Sequence, residues 1–159
     1  MSLHDRPEPR IVEREAMLVA GARYEGKNEH GDEIPALWEK EFFPRLGELG
    51  PVRPGVFYGV SRGLPGAAPG VFEYLAAVEV RSLDNLPPGM EGWEIPGGTY
   101  AVLPAEGVAG IRPVMDDFYH RWLGDSPYRL SANMTMIEEY PETFPDDPTI
   151  YLLFSVERR

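Results

Sequence analysis

The chain has 159 residues, with 15 Lys and Arg against 26 Asp and Glu, a formal net charge of −11, and no cysteine. That balance excludes the basic footprint a direct nucleic-acid partner requires, and the missing cysteine excludes disulfides, a thiol nucleophile and thiolate metal sites. No apolar run is long enough to span a membrane and the amino terminus has no signal-like apolar stretch, so the expected setting is the cytoplasm.

In chain order, residues 1–9 are polar, carry Pro7 and Pro9, and read as a loose arm. Arg10 to Tyr24 reads as a strand, strongest from Met17 onward. Asp32 is placed to cap a helix from Glu33 to about Leu49. Its apolar positions Leu37, Trp38, Phe42, Leu46 and Leu49 recur at the three-to-four spacing of one helix face, and Pro44 should bend or interrupt it. Val56–Ser61 reads as a short strand, the Gly- and Pro-rich stretch 62–70 as a long turn, and Phe72–Val80 as a strand. Trp93–Pro104 follows as a strand broken by Pro96-Gly97-Gly98. Val108–Leu123 carries the stripe Ile111, Met115, Phe118, Tyr119 and Trp122, with Pro113 in its early turns and Gly124 as the expected C-cap. Met134–Tyr140 and Thr149–Glu157 close the chain as strands.

The order strand–helix–strand–strand thus occurs twice, over about 10–80 and 93–157, within one domain spanning 1–159. The expected class is α+β: an antiparallel sheet with two helices on one face and a ligand groove between the repeats.

Phosphate-binding glycine loops, histidine pairs at metal-ligand spacing and a GxSxG elbow do not occur, so no cofactor and no metal are expected. The pairs Asp116-Asp117 and Asp146-Asp147 read as solvated surface. The informative segment is Met136-Ile137-Glu138-Glu139-Tyr140. Alternate strand residues share a face, so Glu138 lies with Met136 and Tyr140, and Glu139 lies opposite. Either Glu138 faces inward among apolar neighbours, where a carboxylate is tolerated only against a cation or hydrogen-bond donors, or both glutamates sit on an exposed edge. The inward arrangement suits an organic cation in an aromatic box. Three Trp, eight Tyr and seven Phe supply such rings. Most of these belong to the core, as Trp122 should, but a tyrosine hydroxyl needs a partner and often lines a wet pocket.

Several segments together resemble the effector-binding domain of AraC- and MerR-type multidrug-sensing regulators, the fold also found in the bacterial gyrase-inhibitor protein. They are Ile34-Pro35-Ala36-Leu37-Trp38, Phe57-Tyr58-Gly59-Val60, Phe72-Glu73-Tyr74 leading to Val78-Glu79-Val80, Ile95 through Val102, Trp122-Leu123 with Ser126-Pro127-Tyr128, and Ile137-Glu138-Glu139-Tyr140. The resemblance implies a small-molecule ligand, cationic or polar, recognised by Glu138. It implies Tyr140, Tyr58, Tyr74, Tyr151 and Trp38 as surrounding aromatics. The chain has no segment for a DNA-binding domain, so a stand-alone binding module without direct nucleic-acid contact is expected. The family also includes hydrolases of cyclopropane-bearing toxins, and its gyrase-inhibitor members imply a possible protein partner; a homodimer is a further possibility.

Overall fold

In a computed structural model that describes residues 8–29, 31–133 and 135–159, nine strands form the frame. They are β1 (Arg10–Arg14), β2 (Met17–Gly26), β3 (Phe57–Gly63), β4 (Phe72–Glu79), β5 (Glu91–Ile95), β6 (Gly98–Glu106), β7 (Tyr128–Leu130), β8 (Met136–Tyr140) and β9 (Thr149–Arg158). Every pairing is antiparallel, in the order β1-β6-β9-β8-β3-β4-β2-β5, with β7 added to the end of β9. The α+β class with helices on one face is therefore the observed one. Residues 1–7 of the arm expected over 1–9, which include His4, as well as His30 and the expected strand start at Met134, lie outside the described residues.

Two links dictate the shape of the sheet. β1 and β2 are joined by only Glu15 and Ala16 yet stand six ladder positions apart, and Pro96-Gly97 likewise joins β5 to β6. A flat sheet would separate β1 and β2 by roughly 29 Å, at about 4.8 Å per strand, whereas a two-residue link spans about 10 Å. The sheet must curl until its edges meet. The two links do touch there: a Cβ on Gly97 would lie 2.8 Å from the Ala16 nitrogen and 3.1 Å from the Arg14 carbonyl oxygen. The single strand expected over 10–24 is thus divided, and residues 10–14 complete the sheet of the second half rather than the first.

Curling separates two cores. The concave side is filled mainly by strand residues, among them Val19, Tyr58, Val60, Leu75, Trp93 and Leu153, with Val56 from the turn before β3. The convex side carries two helical layers, each over its own half of the sheet. The first segment begins as an α-turn (Glu33–Ala36), widens to a π-helix (Leu37–Phe42) and tightens to a 3-10 helix (Phe43–Glu48). Pro44 accounts for the change of winding: it has no N–H for an i→i−4 bond and its ring crowds the preceding turn. The Phe43 N–H instead reaches back five residues to the Trp38 carbonyl. Asp32 occupies the cap position, but its side chain makes no capping hydrogen bond.

The second segment runs through a 3-10 turn (Val108–Gly110), an α-helix (Ile111–Asp117), a π-helix (Phe118–Trp122) and a last turn (Leu123–Asp125). Pro113 is accommodated in the first α-turn, where its missing N–H has no helical partner to lose. The stop expected at Gly124 comes at Ser126 instead, whose hydroxyl donates to the Leu123 carbonyl at 2.9 Å. Phe118 stacks on Phe154 at 4.0 Å and on Trp122 at 5.3 Å, so Trp122 belongs to the core of this layer. Asp117 pairs with Arg121 one turn on. Among the described residues, no helix is long and apolar enough to cross a membrane.

Candidate functional site

The two helical layers leave the middle of the convex face, the seam between β3 and β8, as a groove. At its floor Gly59 pairs with Glu138, Phe57 pairs with Tyr140, and Glu138 pairs on its other side with Leu152. Strand alternation turns Glu138 and Tyr140 onto this face and Glu139 onto the other. On β4 the same alternation brings up Tyr74, which is 1% exposed. Trp38 comes down from the π-helical turn.

These four side chains form one chain of hydrogen bonds. The Trp38 indole Nε1–H donates to the Tyr74 hydroxyl oxygen at 3.0 Å. The Tyr74 hydroxyl donates to Glu138 Oε1 at 3.0 Å, and the Tyr140 hydroxyl donates to the same oxygen at 2.8 Å. Gly59 makes the arrangement possible. A Cβ there would sit on the Tyr74 hydroxyl, 2.7 Å from Tyr74 Cζ and 2.6 Å from Glu138 Oε1. Around the polar chain stand more rings: Trp38 lies 5.7 Å from Tyr140, 6.4 Å from Phe57 and 5.6 Å from Phe43, and Tyr140 lies 5.3 Å from Phe144. Phe43 is 46% exposed and forms the outer lip.

Glu138 keeps part of its surface open to solvent although protein atoms crowd its carboxylate on most sides, as the floor of a groove requires. No ion pair from a described residue reaches it. Burial pushes its carboxyl above the usual range, and the hydrogen bonds from Tyr140 and Tyr74 only partly oppose this. The same burial, reinforced by the neighbouring carboxylate, pushes both phenols up, so each keeps its proton to donate.

Of the residues singled out from sequence, the structure brings together Glu138, Tyr140, Tyr74 and Trp38. It does not bring Tyr58 or Tyr151 to them. Tyr58 pairs with Ala77 and Glu139 and Tyr151 with Glu139, so both point into the concave core on the opposite face. Expecting them as walls of the Glu138 site is corrected by strand parity. Tyr58 accepts a hydrogen bond from Arg53 at 3.1 Å, and burial, then Glu139, push its hydroxyl up to about 12. Glu139 is bridged to Arg14 at 3.3 Å. Sequence reasoning missed Gly59, Phe57 and Phe43. Gly59 had a signal, a lone glycine inside a strand pattern, which often marks a close approach.

Two hollows lie elsewhere. One of about 250 Å³ lies on the concave side against Arg14, Met17, Tyr100 and Ile137, and one of about 510 Å³ lies beside Glu48, Val80, Asp84 and Leu86. Chemistry rather than volume singles out the groove, because neither hollow holds a crowded carboxylate lacking a cation. Among the described residues, no group of three His, Asp or Glu side chains could hold a metal ion.

Known proteins agree with this architecture. Several solved structures share the fold at low identity. SAV2435, solved bound to tetraphenylphosphonium, superposes with a TM-score of 0.72 at 13% identity, covering 95% of this chain and 94% of its own. The Vibrio cholerae integron cassette protein VCH_CASS2 gives 0.64 at 19% identity, covering 94% and 96%. The C-terminal domain of EcmrR gives 0.67 at 14%, covering 96% and 98%. The transcriptional regulator BrlR of Pseudomonas aeruginosa is 41% identical over 143 residues, which are 87% of this chain and 51% of BrlR, so the chain spans about half the length of that regulator. Residues 10–156 match the family described as integron-associated effector binding protein, and on that match the chain belongs to this effector-binding family.

Proposed function

We propose that the chain binds a small organic cation in the groove between its helical segments. Glu138 is the counter-ion, Tyr74 and Tyr140 hold it, and Trp38 with Phe57 and Phe43 forms the aromatic wall. The observation that carries this is the state of Glu138: a carboxylate crowded by protein, bonded among the described residues only by two phenols and by no cation, and open to solvent on one side. Such a group is costly to desolvate, and a bound cation compensates it. The rings add cation–π attraction, strongest for tryptophan. The net charge of −11 draws cations toward the protein and repels nucleic acid.

That SAV2435 was solved with tetraphenylphosphonium, an organic cation, supports the ligand class. The likeness to BrlR supports a sensing role, in which this domain reports on such compounds in the cytoplasm. Titration with tetraphenylphosphonium, followed by calorimetry and by the quenching of tryptophan fluorescence that is lost in Trp38→Phe, tests the reading. Glu138→Gln should weaken binding by about tenfold or more. Equal affinity in the variant refutes the assignment. An ester or cyclopropane-bearing substrate is assayed alongside; turnover lost in Glu138→Gln would favour a hydrolase with Glu138 as general base instead.

A further inference from the structure

The hydrogen-bond inventory of the groove goes further than its charge. An indole has one N–H and a phenol one O–H, and all three hydrogens here are spent inside the protein. The Trp38 N–H goes to Tyr74, and the Tyr74 and Tyr140 hydroxyls both go to Glu138 Oε1. Phe42, Phe43, Phe57 and Phe144 contribute only carbon, and Gly59 has no side chain. Among the described residues, these side chains framing Glu138 therefore hold no donor for a ligand. What remains is an acceptor. Glu138 Oε2 has no hydrogen-bond partner among the described residues. It is not sealed either: the only fully enclosed side-chain polar atom lacking a partner among them is Asn28 Oδ1.

Resting on the cation-site reading above, we propose that the groove selects organic cations that carry an N–H donor (protonated amines, amidinium groups, ring N–H cations) over cations whose charge is capped entirely by carbon. An N–H cation gives Oε2 a charge-assisted hydrogen bond as it displaces water. A quaternary cation keeps the Coulomb and ring terms but leaves Oε2 without a hydrogen once water has gone, and a buried acceptor left unmade is unfavourable. Anions meet like charge, and neutral acceptors such as ketones find nothing to bond.

The test uses three ligands with one biphenyl body: (biphenyl-4-ylmethyl)dimethylamine, protonated at neutral pH with one N–H; its N-methyl quaternary salt; and biphenyl-4-ylacetate. Affinities are measured calorimetrically on the full chain and on Glu138→Gln, whose fold is checked by circular dichroism. The expected result is binding of the protonated amine about 10- to 100-fold tighter than the quaternary salt. The acetate should not bind, and the gap between the two cations should close in Glu138→Gln. Two cations of equal affinity that both weaken in the variant overturn the N–H selectivity while leaving the cation site standing. Failure of both cations to bind, or binding of the acetate as tight as theirs, overturns the selectivity and the cation site together. The wild-type comparison decides the N–H question even if the variant does not fold.

Discussion

Gly59→Ala adds one methyl group at the most crowded point of the groove. Gly59 is buried within β3 and its backbone is ordinary strand, so alanine meets no conformational barrier there. The barrier is steric: the new Cβ would lie 2.6 Å from Glu138 Oε1 and 2.7 Å from Tyr74 Cζ, where ordinary contact begins near 3.4 Å. Tyr74 is held on both sides by hydrogen bonds and is almost wholly buried, so it cannot swing aside without leaving both partners. Overpacking of this kind costs about 1–3 kcal/mol, and each hydrogen bond lost adds about 0.5–1.5 kcal/mol. The stiffer unfolded chain returns about 0.4–1 kcal/mol. A net loss of about 2–4 kcal/mol follows, a fall in Tm of roughly 4–16 °C for a chain of this size. Gly63→Ala on the same strand is the control, because its Cβ would meet nothing within 4 Å. Thermal and urea unfolding of both variants, followed by tryptophan emission in a background with Trp93 and Trp122 replaced by Phe so that Trp38 reports locally, make the comparison. Gly59→Ala combined with Tyr74→Phe should recover part of the loss, since the hydroxyl nearest the new methyl is gone. A Gly59→Ala protein as stable as Gly63→Ala, with unchanged emission, refutes the reasoning.

Glu138→Gln keeps the shape and an acceptor for both phenols but removes the crowded charge, so its Tm at neutral pH should equal or exceed that of the native chain while cation affinity falls. The folded state raises the Glu138 carboxyl above its unfolded value and so holds the proton more tightly. Its contribution is therefore largest at pH below the unfolded value and declines as pH rises toward the folded one. That decline should vanish in Glu138→Gln, and native cation affinity should fall as acid protonates Glu138; both are read by unfolding and titration across pH. Glu73 behaves oppositely. Burial alone would raise it, but Arg62 and Arg23 hold it below the usual range, so its contribution is present above the unfolded value and lost as pH drops. Glu73→Gln should cost about 1–2 kcal/mol by urea unfolding, the modest figure reflecting arginines about one-third exposed. Trp38→Phe keeps a ring but removes the N–H given to Tyr74, and should cost about 0.5–1.5 kcal/mol in denaturation.

Local pattern carried much of this architecture. The three-to-four spacing of Leu37, Trp38, Phe42 and Leu46 located the first helical segment, and alternation in Met136–Tyr140 separated Glu138 from Glu139, because both signals are periodic along a single element. What pattern could not carry was the partner of each strand. Tyr58 and Tyr151 stand in strands that do border the site, yet one residue of parity sends them to the concave core. The division at Glu15-Ala16 was equally hidden, since residues 10–24 can be read as one extended run and only the closure of the sheet sends β1 to β6 at one edge and β2 between β4 and β5 near the other. Gly59 acquires its meaning only when Tyr74 arrives from β4 and Glu138 from β8.

Glu138 and Glu139 show how a single strand can carry two unlike carboxylates. They are neighbours in sequence and similarly shielded, yet parity gives them different surroundings. Glu139 faces the concave side, where Arg14 bridges it at 3.3 Å, so its charge is answered within the fold. Glu138 faces the seam between two helical layers, where the described residues supply two phenols and no cation. Hydrogen bonds from neutral donors soften the desolvation of an anion but do not neutralise it. The folded chain thus carries at Glu138 an electrostatic deficit that it could have cancelled, as it does one residue later. A deficit confined to one open-faced oxygen, beneath a tryptophan and between two tyrosines, is what a binding site for a cation needs before the cation arrives: the site is held in place by the protein, and the missing charge is left for the ligand to bring.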